Sequence, residues 1–175
     1  MKTLRHLALL PLVAAAAHAY TIEFELGKSN PSSLDNSSVV GLNVATGLGS
    51  SDFEIGANLT SFDVSNSAVN ASSTARDASI DLTYNLNSSK GGIRPYVGVG
   101  LGYAWFSNNS SSNAANFSGS CLTTAAFVGI RFALSDTVDI NFQARNVELL
   151  DAKTVGNGKH TVNDWQSIAG IRLKF

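Results

Sequence analysis

The feature that most constrains this chain is a two-residue alternation of apolar and polar side chains, which is clearest in its last segment. One set of alternate positions there reads Trp165, Ser167, Ala169, Ile171, Leu173 and Phe175. The positions between them carry polar, small and charged residues, among them Asp164, Arg172 and Lys174. Because successive side chains of a β-strand point to opposite faces, the pattern predicts a strand with one apolar face.

The same alternation recurs in eight segments between Tyr20 and Phe175. Turn-forming residues fill three short connections, at 49–52, 87–92 and 135–136. Four longer connections rich in Ser, Asn and Ala alternate with them, at 28–38, about 62–76, about 107–117 and about 150–160. We therefore predict an all-β fold, an eight-stranded antiparallel transmembrane up-and-down β-barrel with short turns and both termini on one rim.

Two places interrupt the alternation, each where a predicted strand would enter a longer connection. They are marked by Phe62 with Val64 and by Val147 with Leu149. We expect a β-bulge or an irregular loop base at both places. The longer connections carry little charge and little apolar area, so we expect them to be mobile and hydrated.

Composition excludes three other classes of protein. The net charge is −1, so the chain lacks the basic surface of a nucleic-acid-binding protein. Cys121 is the single cysteine, which rules out an intramolecular disulfide framework. Beyond the N-terminus, no apolar run approaches the roughly 20 residues of a membrane-spanning helix.

The N-terminal segment has the organisation of a secretory signal peptide. Lys2 and Arg5 precede an apolar stretch, and the segment ends on the small residues of Ala-His-Ala. We expect cleavage between Ala19 and Tyr20, which makes 1–19 the signal peptide and 20–175 the barrel domain. A short buried N-terminal helix is the alternative.

The apolar face of the barrel is expected to point outward, into lipid. Glycine and charged residues share the opposite face, and charges in the dry core of a water-soluble barrel would be costly. Aromatic residues on the apolar face fall near the strand ends, as in the girdles of membrane barrels. The expected girdles comprise Tyr20, Phe53, Tyr84, Tyr103, Trp105, Phe132 and Trp165. A soluble eight-stranded barrel, with its apolar residues inside, is the alternative.

The chain resembles the small eight-stranded outer-membrane barrels of Gram-negative bacteria, the OmpA/OmpX type. The resemblance rests on the signal peptide, the strand pattern, the Gly-rich segment 94–103 and the final Phe175. It implies export to the bacterial outer membrane and contact with lipopolysaccharide or phospholipid. It also implies that the assembly machinery reads the last strand through Ile171, Leu173 and Phe175.

The interior of an eight-stranded barrel is just wide enough for side chains to fill it. We expect an interior ion-pair network of Glu23, Glu25, Glu54, Asp81, Arg94, Arg131, Asp139, Arg145 and Arg172. Barrel closure predicts that Arg172 lies near Glu23 or Glu25, and that Arg131 faces Asp139 across the turn at 135–136. The network would be structural because buried charges need partners. A lining for a narrow pore is the alternative, and the inward glycines would leave room for some water.

Enzymatic chemistry finds little support in the residues. Lipid A deacylases of this barrel size resemble one another in a His-x-Ser element, whereas here His160 is followed by Thr161 and Val162. Cys121 has no second cysteine beside it, and we expect a buried, inert thiol rather than a metal ligand or nucleophile. We therefore expect no cofactor and no metal.

We predict a non-catalytic outer-membrane barrel with a role in envelope integrity or surface contacts. A narrow pore for small solutes is the runner-up, and a lipid A-modifying enzyme comes third. We expect no nucleic-acid partner, and a monomer is the favoured state.

Overall fold

The computed structural model describes residues 20–32, 34–86, 92–108, 115–156 and 158–175. The predicted signal peptide, including Ala19, lies outside the described residues. Most of the predicted short turn at 87–92 also lies outside them. No helix in the described ranges has the length and apolarity of a membrane span.

Eight long strands and one short strand account for most of the described chain. They are β1 (Tyr20–Pro31), β2 (Ser37–Gly47), β3 (Phe53–Asn66), β4 (Ala71–Asn85), β5 (Ile93–Asn108), β6 (Phe117–Ser118), β7 (Ser120–Ala133), β8 (Val138–Thr154) and β9 (Lys159–Lys174). A single 3-10 turn, Ser67–Val69, connects β3 to β4. The short β6 pairs with the end of β8 and is not one of the eight strands that form the barrel wall.

The eight long strands form a closed antiparallel barrel. Each pairs with its neighbour in the chain order β1-β2-β3-β4-β5-β7-β8-β9, and β9 pairs with β1 to close the sheet. At the seam, Ile22 lies opposite Leu173 and Phe24 opposite Ile171. Closure gives every long strand two partners and leaves no open edge. The predicted eight-stranded up-and-down barrel is confirmed.

The barrel has two unlike rims. The turn rim carries both ends of the described barrel, Tyr20 and Phe175, and the connections at 48–52, 86–92 and 134–137. The opposite rim, here called the loop rim, carries the other connections, at 32–36, 67–70, 109–119 and 155–158. This arrangement matches the predicted placement of the short turns.

Three of the four connections at the loop rim are shorter than predicted, because the strands continue into segments expected to be loops. β3 and β4 stay in register from Phe53 opposite Tyr84 to Asn66 opposite Ala71. The expectation of a mobile, hydrated loop over 62–76 is therefore wrong. Ser, Asn and Thr have modest strand preferences, but each added residue pair extends a ladder of hydrogen bonds that already exists.

The two interruptions of the alternation are inward-facing apolar positions. Phe62 and Val64 are 2% exposed and lie in an unbroken register with β4, so the bulge expected there is wrong. Val147 and Leu149 also point inward, and the ladder between β8 and β9 shifts register just after them, between Leu149 and Ala152. Asp151 lies within this shift and has a left-handed backbone conformation, with a φ of 52°.

Outward positions are apolar and inward positions are mostly polar. Leu26 is 66% exposed and Leu101 62%, whereas Glu23 is 4% exposed and Arg145 2%. The expected orientation, with the apolar face outside, is confirmed. A soluble barrel with its apolar residues inside does not fit these exposures.

Candidate functional site in the barrel interior

Near the turn rim, two acidic side chains each form ion pairs with two basic side chains. Glu54 on β3 accepts from Arg131 at 3.1 Å and from Arg172 at 2.9 Å. Asp139 on β8 accepts from Arg94 at 2.7 Å and from Lys174 at 2.8 Å. The expected inward placement of these charges is therefore found in the structure.

The expected closeness of Arg172 to Glu23 is confirmed, although the two side chains form no ion pair in the described chain. The expected facing of Arg131 and Asp139 is wrong, because Asp139 lies opposite Ala133. Arg172 lies directly opposite Glu23 in the β1–β9 register, but its guanidinium bonds to Glu54 on the far side of the lumen. Arg131 likewise bonds to Glu54 and not to Asp139. The register determines which residues of neighbouring strands lie opposite each other. A long arginine side chain in a narrow barrel can nevertheless reach a strand several positions away.

Deeper in the barrel, Arg145 and Asp81 form a two-pronged ion pair. The two guanidinium nitrogens lie 2.6 Å and 3.1 Å from the two carboxylate oxygens. Both side chains are almost fully buried, with 2% and 4% exposed. Ser79 accepts a further hydrogen bond from Arg145, at 3.0 Å. Planar pairing of this kind satisfies several donors and acceptors at once.

Four inward acids make no ion pair within the described residues and depend on neutral donors instead. Glu23 accepts from the amide of Asn141, and Glu25 from that of Asn58 at 3.4 Å. Similarly, the Thr123 hydroxyl donates to Asp77, and Ser29 and Gln166 donate to Asp164. The interior is therefore a mixed network. The sequence analysis did not predict the amide partners Asn58 and Asn141. Both occupy inward positions in the alternation of their strands, and this pattern could have indicated them.

Inward glycines accommodate large side chains and leave little open space. A Cβ at Gly129 would overlap the ring of Tyr96, and one at Gly98 would overlap Phe127. Arg131 stacks over the Tyr96 ring, 4.2 Å from its centre. The remaining cavity in this region measures about 20 Å³, room for about one water molecule.

Towards the loop rim, the polar interior gives way to an apolar cluster, here called the plug. Its buried members are Val39, Phe62, Val64, Ala75, Ala104, Phe117, Cys121, Leu149, Ala152 and Val162. Phe106 and Leu34 pack against them. Ala75, Ala104, Leu149 and Ala152 are 0% exposed. The plug therefore lies in the lumen between the charged network and the loop rim.

Residues 115–119, which include β6, run across the loop-rim end of the lumen, and the Phe117 side chain is part of the plug. Phe117 exchanges two hydrogen bonds with the Ser73 hydroxyl on β4, and β6 pairs with Lys153 and Thr154 on β8. The buried Asn116 accepts from the Ser72 amide, also on β4. Gly119, with a φ of 72°, turns the chain from β6 into β7. The segment is thus anchored to two separate strands.

The structure places both residues considered for catalysis, His160 and Cys121, towards the loop rim. His160 is exposed at the loop rim, where its ring meets the edge of Phe117 at 6.5 Å. In the described ranges it pairs with no carboxylate. Cys121 is a buried free thiol within the plug. No group of three or more His, Cys, Asp or Glu in the described chain is placed to hold a metal ion.

The expected girdle aromatics lie on the outward face. Tyr20, Phe53, Tyr84, Tyr103, Trp105 and Trp165 are each at least 39% exposed, and Phe132 is partly exposed. At the turn rim, Tyr20 stacks on Phe175 at 5.0 Å and Phe53 lies 4.8 Å from Tyr84. Phe175 follows Trp165 by ten residues, about 25 Å of height for strands tilted near 40°. That height equals the apolar band of an outer-membrane barrel.

Comparison with known proteins places this geometry in a family. The family model of the outer membrane protein beta-barrel domain matches residues 6–175. The structure of Neisserial surface protein A aligns with a TM-score of 0.71 at 15% identity, over 91% of this chain and 98% of that one. OprG from Pseudomonas aeruginosa aligns with a TM-score of 0.63 at 17% identity, over 91% and 96%.

The outer membrane enzyme PagL also shares the fold, with a TM-score of 0.53 at 12% identity over 86% of this chain and 97% of that one. No curated protein matches the chain by sequence. At such identities the structural likenesses show the fold alone. The family match spans all the described strands, and the outward apolar face has the height of a membrane. The chain therefore belongs to the outer-membrane protein β-barrel family, and it is an integral protein of the bacterial outer membrane.

Proposed function

We propose that the protein is a closed, non-catalytic barrel that contributes to envelope integrity or to contacts at the cell surface. The plug is the observation that carries this proposal. A continuous water path would have to pass Phe62, Phe117 and Leu149, which are at most 6% exposed. On the turn-rim side of the plug, the rings of Tyr96 and Phe127 occupy the space beside the inward glycines, which further narrows the lumen.

Conductance in planar lipid bilayers tests the closed state. The refolded protein should show no steady single-channel current across a range of voltages, because the plug excludes hydrated ions. A Phe62→Ser/Phe117→Ser variant, which puts hydroxyls in the plug, should conduct more than the wild type. A steady open channel in the wild-type protein would contradict the proposal and favour the narrow pore.

A second measurement addresses the non-catalytic part. Mass analysis of lipid A from cells that express the protein should match that from cells without it, since His160 contacts an aromatic ring and no carboxylate in the described chain. A change in acyl chains or phosphates would overturn this part of the proposal. The likeness to PagL makes this measurement worthwhile, although it concerns the fold alone.

Export and assembly complete the proposal. Residues 1–19 act as a signal peptide that is cleaved between Ala19 and Tyr20, and Ile171, Leu173 and Phe175 are read by the barrel assembly machinery. The folded barrel is a monomer surrounded by lipopolysaccharide and phospholipid. It needs no cofactor and has no nucleic-acid partner.

A further inference from the structure

A pit interrupts the lipid-facing surface where β1, β9 and β8 lie side by side. In this region the outward residues of the three strands align in rows across the sheet. From the loop rim inward, the rows are Asn30–Trp165–Asn146, Lys28–Ser167–Ala144, Leu26–Ala169–Phe142 and Phe24–Ile171–Ile140. Small side chains on β9 and β8 occupy the middle rows, whereas large ones surround them.

The size of the pit follows from that contrast. Its volume is about 480 Å³, with Ala144, Ser167 and Ala169 as its floor. Leu26 and Phe142, 66% and 50% exposed, form opposite walls. A membrane barrel gains nothing from an empty hollow in its apolar band, because lipid chains must fill it.

A basic residue stands at the edge of the pit. Lys28 is exposed on the outward face, one row below Trp165. For tilted strands, this row lies about 5 Å below the outer girdle, which a lysine stem can span to bring its ammonium to the headgroups. Near the interface a lysine costs little free energy, and anionic headgroups attract its ammonium.

No carboxylate of the described chain meets Lys28. The outward positions around it are neutral: Ser38, Ser167 and Asn30. The nearest outward acid is Asp63, which lies in the same row on β3, two strands away, and accepts from the Thr74 hydroxyl. Glu148 lies on the other side, two rows nearer the loop rim, and accepts from Asn163. Lys28 therefore makes no ion pair in the described chain, and its ammonium is available to an anion from the membrane or from another molecule.

We infer that the pit is a binding site for a phosphorylated outer-leaflet lipid, lipid A. One acyl chain lies on the floor of Ala144, Ser167 and Ala169, and a headgroup phosphate pairs with the Lys28 ammonium. A second copy of the chain is a poorer occupant, because a two-fold contact through this face would bring the two Lys28 side chains together. The site deepens the lipid contact proposed above.

Native mass spectrometry of the full folded barrel, released from detergent micelles, tests the site. The probe is bisphosphorylated lipid A, compared with phosphatidylglycerol and with zwitterionic phosphatidylethanolamine. We expect one tightly held lipid A per barrel and weaker retention of the other two lipids. Lys28→Gln should weaken retention roughly fivefold, the effect of one basic residue near an anionic surface. Ser167→Leu, which fills the floor but keeps the charge, should weaken it as well.

Arg76→Gln is the matched control. Arg76 is exposed on the outward face opposite Trp105, but its strand neighbours do not form such a pit. Wild-type retention by this variant is expected, and an equal loss would indicate general electrostatic attraction and overturn the site. Unchanged retention in Lys28→Gln or Ser167→Leu would overturn it too, as would a dimer in place of the lipid complex.

Other results separate this inference from the proposal of a closed barrel. Equal retention of phosphatidylglycerol would overturn the choice of lipid A and leave a general phospholipid phosphate as the ligand. Folding of every variant is checked by its mobility on a gel with and without boiling. Because the pit is outside the barrel, a conducting wild-type protein would contradict the closed lumen without affecting lipid retention.

Discussion

At the scale of single residues, the interior charged side chains differ in how strongly the stability of the barrel depends on their ion-pair partners. Arg145 and Asp81 are both almost fully buried and meet through two hydrogen bonds. Arg94 also pairs with an acid, Asp139, but it is 32% exposed and Asp139 has a second partner in Lys174. Removal of one member of a buried pair leaves the other as an uncompensated charge, whereas an exposed base can be replaced by water.

This difference predicts unequal effects of two similar substitutions. Arg145→Met should lower the free energy of unfolding by about 3–5 kcal/mol, because Asp81 would be left buried without its base. Arg94→Gln should lower it by at most about 1 kcal/mol. Urea titration of the barrel folded in lipid vesicles measures both. Equal losses in the two variants would contradict the assignment of Arg145–Asp81 as the buried centre of the network.

At the scale of strands, the seam between β1 and β9 is where the barrel closes. Eleven register pairs join the two strands, from Thr21 with Lys174 to Pro31 with Asp164. At the turn rim the seam ends with the stacked rings of Tyr20 and Phe175. Phe175 thus has two separable properties, its ring contact and its position at the end of the proposed assembly signal.

Substitution of each ring separates these properties. Tyr20→Ala and Phe175→Ala remove the same stacked pair, so each should lower the stability of refolded protein by a similar amount, about 0.5–1.5 kcal/mol beyond the lost area. In cells, Phe175→Ala should reduce the amount of heat-modifiable barrel in the outer membrane further than Tyr20→Ala does. Equal amounts of assembled barrel would argue that Phe175 acts only through its ring contact.

At the scale of the whole molecule, the barrel divides into three regions. An apolar band faces lipid, a charged network lies in the lumen on the turn-rim side, and the plug lies in the lumen on the loop-rim side. The family's topology places the turn rim in the periplasm and the loop rim outside the cell. The network therefore lies between the plug and the periplasm, and among the described residues the plug and β6 separate it from the exterior.

A pair of leucines tests the position of the band. Leu101 lies near mid-height of β5 and is 62% exposed, and Leu134 lies in a turn-rim connection and is 64% exposed. Leu101→Arg should destabilise the barrel in lipid vesicles by about 2–4 kcal/mol, and Leu134→Arg by about 0–1 kcal/mol. Urea unfolding measures both changes. A tolerated arginine at Leu101 would place that residue outside the membrane.

The sequence by itself determined the strands, the orientation of their faces and the barrel class. A side chain's face follows from its parity along a strand, and parity is a local property, as Leu101 beside Gly100 and Gly102 shows. The extension of β3 and β4 to Asn66 and Ala71 was not predictable in this way, because weak local strand preference is overcome by pairing between strands.

The tertiary structure alone decided which inward residues meet. Arg172 is opposite Glu23 in the ladder yet bonds to Glu54, since the curvature of the closed sheet brings β9 and β3 within reach of a guanidinium. Phe62, Val64 and Leu149 looked like interruptions of a strand pattern, but they become part of the plug once closure brings their strands around one lumen. Val147, the fourth such residue, is buried inside the barrel as well. Contacts across a barrel join residues far apart in the chain, and periodicity along one strand carries no record of them.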